Sequence, residues 1–369
     1  MGRKIFIADA DLIGKNRHRF PNLTCMKIAM SHLELGDEII RVKKWEEILQ
    51  KGKDDWAYIS KVFTDTYVPD FVLQHMDESP ENFYIGGTGF YFDKAEMLPD
   101  YMEHSMPYYE YYDGLAKGEY YKDYSIGFLT RGCFRHCPFC VNKNKTKSVP
   151  WAPVKEFYRK DKKYLCFLDD NFFACRYWKP ILQEVIDLGV PYQFKQGLDE
   201  RLLDDEKCEM LFNSKYHGAV QFAFDNIEDA PIIEEKLNLI RKYTNTQNLR
   251  FYVLVGFRST DAKDIANAFE RIRILGKYGA FPYIMRYKSQ VGAPYKKSPL
   301  KSIYVNLARW VNMPQFFKKM SFHDFCELDQ SYKKTDKMCS SLASCLQFEK
   351  DYPEIAKKYF FTKPWEVWR

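Results

Sequence analysis

The sequence predicts an α/β protein with three parts: an N-terminal doubly wound domain over residues 1–120, a partial parallel α/β barrel over 121–290, and a basic helical segment over 291–369. Apolar β-type runs alternate with segments of helical spacing, and that alternation breaks once, between Pro99 and Asp123, before restarting at Tyr124. The length of 369 residues leaves room for two domains and an appendage. A composition of 46% hydrophobic, 29% charged and 17% aromatic residues excludes both a disordered polymer and a membrane bundle.

Residues 4–10 form an apolar run that ends in acidic turn residues. Residues 22–35 then carry helical spacing through Leu23, Met26, Ile28, Met30 and Leu33, and Gly36 stops the helix. Strands at 38–42, 57–63 and 83–85 and a helix near 45–50 continue the alternation, which suits a small doubly wound sheet. The connection that follows is rich in tyrosine and punctuated by Pro107, Gly114 and Gly118, as expected of aromatics packed at a domain seam. Beyond it, strands are expected at 125–129, 164–168, 192–195, 219–224, 251–255 and 281–286. Helices are expected at 178–188, 204–213, 232–243 and 261–278. Six such units in so short a stretch fit a partial barrel better than an eight-fold one.

No uncharged apolar run reaches the roughly 20 residues a membrane span needs, and the first residues read as a strand rather than a signal peptide, so a cytoplasmic, membrane-free protein is expected. In such a reducing compartment the ten cysteines are core thiols, metal ligands or redox centres. The net charge of +6 is uneven. From Arg286 to Arg369 there are 16 Lys+Arg against 8 Asp+Glu, leaving a net of −2 for the rest of the chain. Pairs such as Lys318-Lys319 and Lys333-Lys334 could meet RNA or could simply face solvent.

The chemistry-bearing motif follows the first strand of the expected barrel: Thr130-Arg131-Gly132-Cys133-Phe134-Arg135-His136-Cys137-Pro138-Phe139-Cys140, with the spacing C-x3-C-x2-C. Three thiolates on one short loop can cover one face of an iron–sulfur cube. A zinc site would want a fourth ligand, with His136 the near candidate, but zinc ligands are commonly split into two separated pairs. Other strand ends carry polar side chains suited to a ligand: Asp169, Asp170 and Asn171, then Gln196, Asp199 and Arg201, then Asp225-Asn226, and finally Gly256, where a glycine permits close approach. Asp169 to Asn171 could equally cap a helix, and Asp199 could pair with Arg201.

At Cys133, Cys137 and Cys140 the sequence resembles the radical SAM superfamily, over roughly residues 124–290. The resemblance implies a partial (βα)6 barrel and a [4Fe–4S] cluster on those three cysteines, with one iron left for S-adenosylmethionine. It also implies reductive cleavage of that cofactor to a 5′-deoxyadenosyl radical that abstracts hydrogen from a substrate, driven by a one-electron reductant such as a flavodoxin or ferredoxin. Phe139 matches the aromatic near adenine, and the Val253 to Phe257 stretch resembles the apolar, glycine-ended segment beside it. Asp169, Asp170 and Asn171 stand where the superfamily contacts the methionine amine.

A second resemblance lies in the loop Asp9-Ala10-Asp11-Leu12-Ile13-Gly14-Lys15-Asn16, which is similar to the D-x-H-x-x-G loop of cobalamin-binding Rossmann-like domains. Asp11 replaces the cobalt-ligating histidine, and a hard carboxylate substitutes poorly for imidazole, which tilts the expectation from a cobalamin-dependent methylase toward simple hydrogen abstraction. His18 and His32 lie at the wrong spacing to replace it. Gly86-Gly87-Thr88-Gly89 could cradle a phosphate or serve as a tight turn. Cys326, Cys339 and Cys345 could hold an auxiliary cluster but lack a compact spacing, and with Cys25, Cys166, Cys175 and Cys208 they read as buried hydrophobes. The rival from another class is a non-catalytic iron–sulfur or zinc protein, a nucleic-acid-associated redox sensor using the basic tail.

Overall fold

The computed structural model describes residues 2–14, 18–115, 121–289, 292–332 and 337–364. Lys15, Asn16, Gly118, Lys333 and Lys334, named above, lie outside the described residues. The chain divides into two compact units, Met1–Lys195 and Gln196–Arg369. That division falls inside the stretch expected to form the barrel, while the expected boundary near residue 120 lies within the first unit.

The first unit contains a four-stranded parallel sheet in the order β2-β1-β3-β4, built from β1 (Lys4–Asp9), β2 (Glu38–Arg41), β3 (Trp56–Ser60) and β4 (Phe83–Gly86). Ile5, Ile7 and Ala8 are fully buried, because a central parallel strand is covered on both faces. The helix Leu23–Glu34 starts where Asn22 accepts from the Thr24 and Cys25 amides, and it lays Cys25, Met26 and Ala29 on the sheet. Residues 45–50 form a 3-10 helix.

A three-stranded parallel sheet follows in the order β5-β8-β9, from β5 (Tyr124–Gly127), β8 (Tyr164–Phe167) and β9 (Tyr192–Phe194). Between β5 and β8, the short strands β6 (Thr130–Arg131) and β7 (Val149–Pro150) pair antiparallel. The tyrosine-rich connection joins the two sheets of this unit through hydroxyls that each find a partner. Tyr111 donates to the Ile7 carbonyl at 2.8 Å, Tyr112 to Asp9 Oδ2 at 2.7 Å, and Tyr109 to the Phe157 carbonyl at 2.6 Å.

The second unit has its own three-stranded parallel sheet, β10-β11-β12, formed by β10 (Val220–Ala223), β11 (Leu249–Val255) and β12 (Phe281–Arg286). The intervening helices Ala230–Tyr243 and Ala262–Lys277 bury one apolar face each. Helices then dominate from Lys301 to Tyr359 and enclose an aromatic core around Phe269, Trp310, Phe322 and Phe360. Some of the tail's positive charge is internally paired: Arg309 meets Asp329 at 2.8 Å and Lys358 meets Glu270 at 3.5 Å. Lys318 and Lys319 are exposed. The six expected barrel strands thus occur as two separately hydrogen-bonded parallel sheets, with no backbone ladder joining β9 to β10 among the described residues. Among those residues, no helix is long and apolar enough to cross a membrane.

Candidate metal centre

The cysteine loop leaves the sheet just after β5 and is closed at its neck by the β6–β7 pair, where Thr130 faces Pro150 and Arg131 faces Val149. Gly132 turns the chain at the neck with φ +97°, and a Cβ there would run into the Lys147 carbonyl, so glycine is required. Inside the loop the Cys140 amide donates to the Cys137 carbonyl at 2.9 Å and the Lys143 amide to the Cys140 carbonyl at 3.3 Å. His136, at φ +50°, turns its Nδ1 to the Lys143 carbonyl at 2.7 Å. That contact helps shape the loop.

Two carboxylates brace this loop from β8. Asp169 is 2% exposed; Oδ1 accepts from the Thr130 amide and hydroxyl, each at 2.6 Å, and Oδ2 accepts from the Leu129 amide at 3.2 Å. Burial pushes its carboxyl up to about 7, against the opposing pull of the Thr130 hydrogen bonds. Asp170 accepts from the Gly132 amide at 2.7 Å and from Asn142 Nδ2 at 2.8 Å. Asn171 donates through Nδ2 to Cys133 Sγ at 3.4 Å. The segment expected to meet the amine of a bound cofactor thus also holds the cysteine loop in place.

Of the ten cysteines, Cys133, Cys137 and Cys140 are partly exposed and the other seven are buried. Backbone N–H groups point at the thiols: Arg135 N to Cys133 Sγ and Asn142 N to Cys140 Sγ, both at 3.4 Å. Residues 131–148 include Arg131, Arg135, Lys143, Lys145 and Lys147 and no Asp or Glu. Sulfur-directed hydrogen bonds of this kind are a lever on cluster potential. Three partly exposed thiols on one loop suit a cluster that keeps one position open. Phe139 lies in the same loop and is partly buried.

The remaining candidates belong to the second unit. Gln196 is exposed, while Asp199 is buried and accepts from Arg201 Nε at 2.8 Å, so those two residues do pair with each other. Their neighbour Glu200, singled out by nothing in the sequence, is 2% exposed with its carboxyl pushed up to about 8 by burial and by Asp199. Gly256 takes φ +72° at the end of β11, and its amide donates to Asp264 Oδ2 at 2.8 Å. A cleft of about 360 Å³ opens at these strand ends, lined by Asp225, Asn226, Leu254, Phe257, Arg258 and Arg271 among others. Buried Arg271 fixes one wall by donating to the Phe224 and Asp225 carbonyls at 2.9 and 2.8 Å.

The N-terminal loop is built differently. Asp9 accepts from the Asp11 and Leu12 amides at 3.1 Å. Asp11 is 1% exposed and accepts from the Val62 amide at 2.7 Å, the Phe63 amide at 3.4 Å and the Thr66 hydroxyl. Both Asp11 oxygens are consumed inside the fold. His32 is likewise internal, held between Asp37 at 2.8 Å and the Tyr58 hydroxyl at 3.0 Å, and His18 packs edge-on against Phe63. At Gly86 to Gly89, Gly87 passes against the Lys61 carbonyl and the Gly89 amide donates to it at 2.9 Å, so a tight turn accounts for the glycines. Cys326, Cys339 and Cys345 are buried, and Cys339 caps a helix by accepting from the Leu342 amide.

No protein-family model matches the chain, and no curated protein matches it in sequence.

Proposed function

We propose that the chain is a radical SAM enzyme, with a Rossmann-like N-terminal domain and a partial barrel around its cysteine loop. The observation that supports this most is the contrast among the ten cysteines. The three with C-x3-C-x2-C spacing are accessible, lie on a loop at the C-terminal end of a parallel strand, and have N–H groups aimed at two of their thiols. Cys133, Cys137 and Cys140 would hold a [4Fe–4S] cluster, and Phe139 would pack beside the adenine of S-adenosylmethionine. When bound, the cluster supplies one electron, drawn from a flavodoxin- or ferredoxin-type donor, for cleavage of the sulfonium to methionine and a 5′-deoxyadenosyl radical that takes hydrogen from substrate.

The chain's own contribution is positioning. Asp170 ties the Gly132 and Asn142 ends of the loop together, and Asp169 locks Thr130, so the three thiols stay on one rigid turn. Hydrogen abstraction is preferred to cobalamin-dependent methylation because Asp11 spends both oxygens on Val62, Phe63 and Thr66 and offers none to a metal.

Anaerobic reconstitution with iron and sulfide, followed by reduction in the presence of S-adenosylmethionine, tests the reading. The expected products are 5′-deoxyadenosine and methionine in equal amounts, absent in Cys133→Ala. A reconstituted protein that never cleaves the cofactor under any reductant would defeat the proposal.

A further inference from the structure

The second unit gathers another set of metal-ligating side chains, unrelated to the cysteine loop. The helix Phe322–Ser331 is fixed at its start by a capping box, with Ser321 and Asp324 each accepting from the other's amide. His323 and Cys326 follow on its first turn, three residues apart and so on one face. The helix Ser340–Asp351 carries Cys345 and Glu349 four residues apart, again on one face. Where the two helices meet, His323 Nδ1 lies 2.6 Å from Glu349 Oε1, and Cys345 Sγ lies 3.3 Å from the same oxygen. The three ligand atoms all fall within 4.8 Å of one another. Cys326 is fully buried.

The geometry points to a binding site for one zinc ion formed by His323, Cys345 and Glu349, stapling the two helices together. Nitrogen, thiolate and carboxylate donors suit a borderline-soft ion, and with one ligand from Phe322–Ser331 and two from Ser340–Asp351 the ion would tie the two helices together. The far side of the imidazole supports the same reading. His323 Nε2 meets Glu327 Oε1 at 3.3 Å, so a neutral ring donating there would present its Nδ1 lone pair inward, as metal-bound histidines do when a carboxylate orients them. On binding, the Cys345 thiol releases its proton to solvent as the Zn–S bond forms, and Zn²⁺ takes over the contacts that His323 and Cys345 now make with Glu349. The site is shielded: side-chain exposure is 16% at His323 and 19% at Glu349, and Cys345 is fully buried. That suits a structural ion rather than one that binds substrate.

The test is cobalt titration of the metal-free full-length chain, read by thiolate-to-cobalt charge transfer and tetrahedral visible absorption, with zinc content measured in parallel. A second preparation with Cys133, Cys137 and Cys140 replaced by alanine separates this site from the loop. One equivalent of Co²⁺ displaced by Zn²⁺ is expected in both preparations. Affinity should fall about 100-fold or more in His323→Ala or Cys345→Ser, about tenfold in Glu349→Gln, and not at all in Cys339→Ser. Should the triple variant not fold, the difference between the unmodified chain and Cys345→Ser carries the result. A folded chain with no cobalt band beyond that of the cysteine loop, or a band that survives both Cys345→Ser and His323→Ala, would overturn the assignment.

Discussion

Two loops of the first unit occupy equivalent places, each leaving the C-terminal end of the strand that opens its sheet's chain order, and they are finished in opposite ways. The loop after β1 turns its polar groups inward: Asp9 and Asp11 are buried and their oxygens accept from Leu12, Val62, Phe63 and Thr66. The loop after β5 turns its reactive groups outward. Its thiols are partly exposed, and the bracing is done by Asp169 and Asp170 from the neighbouring strand. A strand end is thus only a location; a site requires that another element meet the hydrogen-bonding needs of the loop.

Replacing any one of Cys133, Cys137 or Cys140 by alanine should have the largest effect, taking iron and sulfide after reconstitution to background with little change in melting, because these side chains carry little of the core. Cys25→Ala in the other sheet should leave iron unchanged, and iron lost only with Cys25 would reverse the comparison. Gly132→Ala comes next. It forces a side chain into a left-handed turn against the Lys147 carbonyl, at a cost of about 1–3 kcal/mol, and should cut cluster occupancy several-fold while the rest of the chain still folds. Chemical denaturation and iron content measured together would show both effects.

Asp11→Ala should do the reverse, costing about 1–3 kcal/mol of stability by stranding the Val62 amide and Thr66 hydroxyl while leaving iron content intact. A pH dependence separates the two loops least, because each is braced by one buried carboxyl. Burial raises the carboxyls of Asp9 and Asp169 to about 7 from 3.8, so the folded chain holds these protons more tightly than the unfolded one. Their contribution is present in full below about pH 4 and is lost as pH rises through 7, with a slope of at most about 1.4 kcal/mol per pH unit for each group. Asp169→Asn should flatten that fall in denaturant midpoints between pH 4 and 7.

The elements read from the sequence were legible because their periodicity is local, whereas short ones such as β6 and β7 and the helix Asp70–Glu78 were not. The helix Trp178–Leu188 and the strand Phe281–Arg286 have the expected bounds, and most others shift by one or two residues at an end. The partition into sheets was not legible: strand-to-strand hydrogen bonding is a long-range choice that apolar runs do not encode, and the six strands expected to form one barrel lie in separate compact units. Spacing marked the three loop cysteines, yet it left Asp169 and Asp170 ambiguous, since a carboxylate at a strand end has the same letter whether it meets a ligand or an amide. His323 and Glu349 belong to no motif of their own; the helical spacing of Cys345 and Glu349, with His323 on the preceding helix, was the available signal.

The central claim is that the loop after β5 holds a cluster with an open iron. Its most direct test is anaerobic iron and sulfide content combined with electron paramagnetic resonance of the reduced protein, with and without S-adenosylmethionine. The account expects a [4Fe–4S] signal that shifts when S-adenosylmethionine is added. Zinc in place of iron at the loop, or a cluster signal indifferent to S-adenosylmethionine, would contradict it.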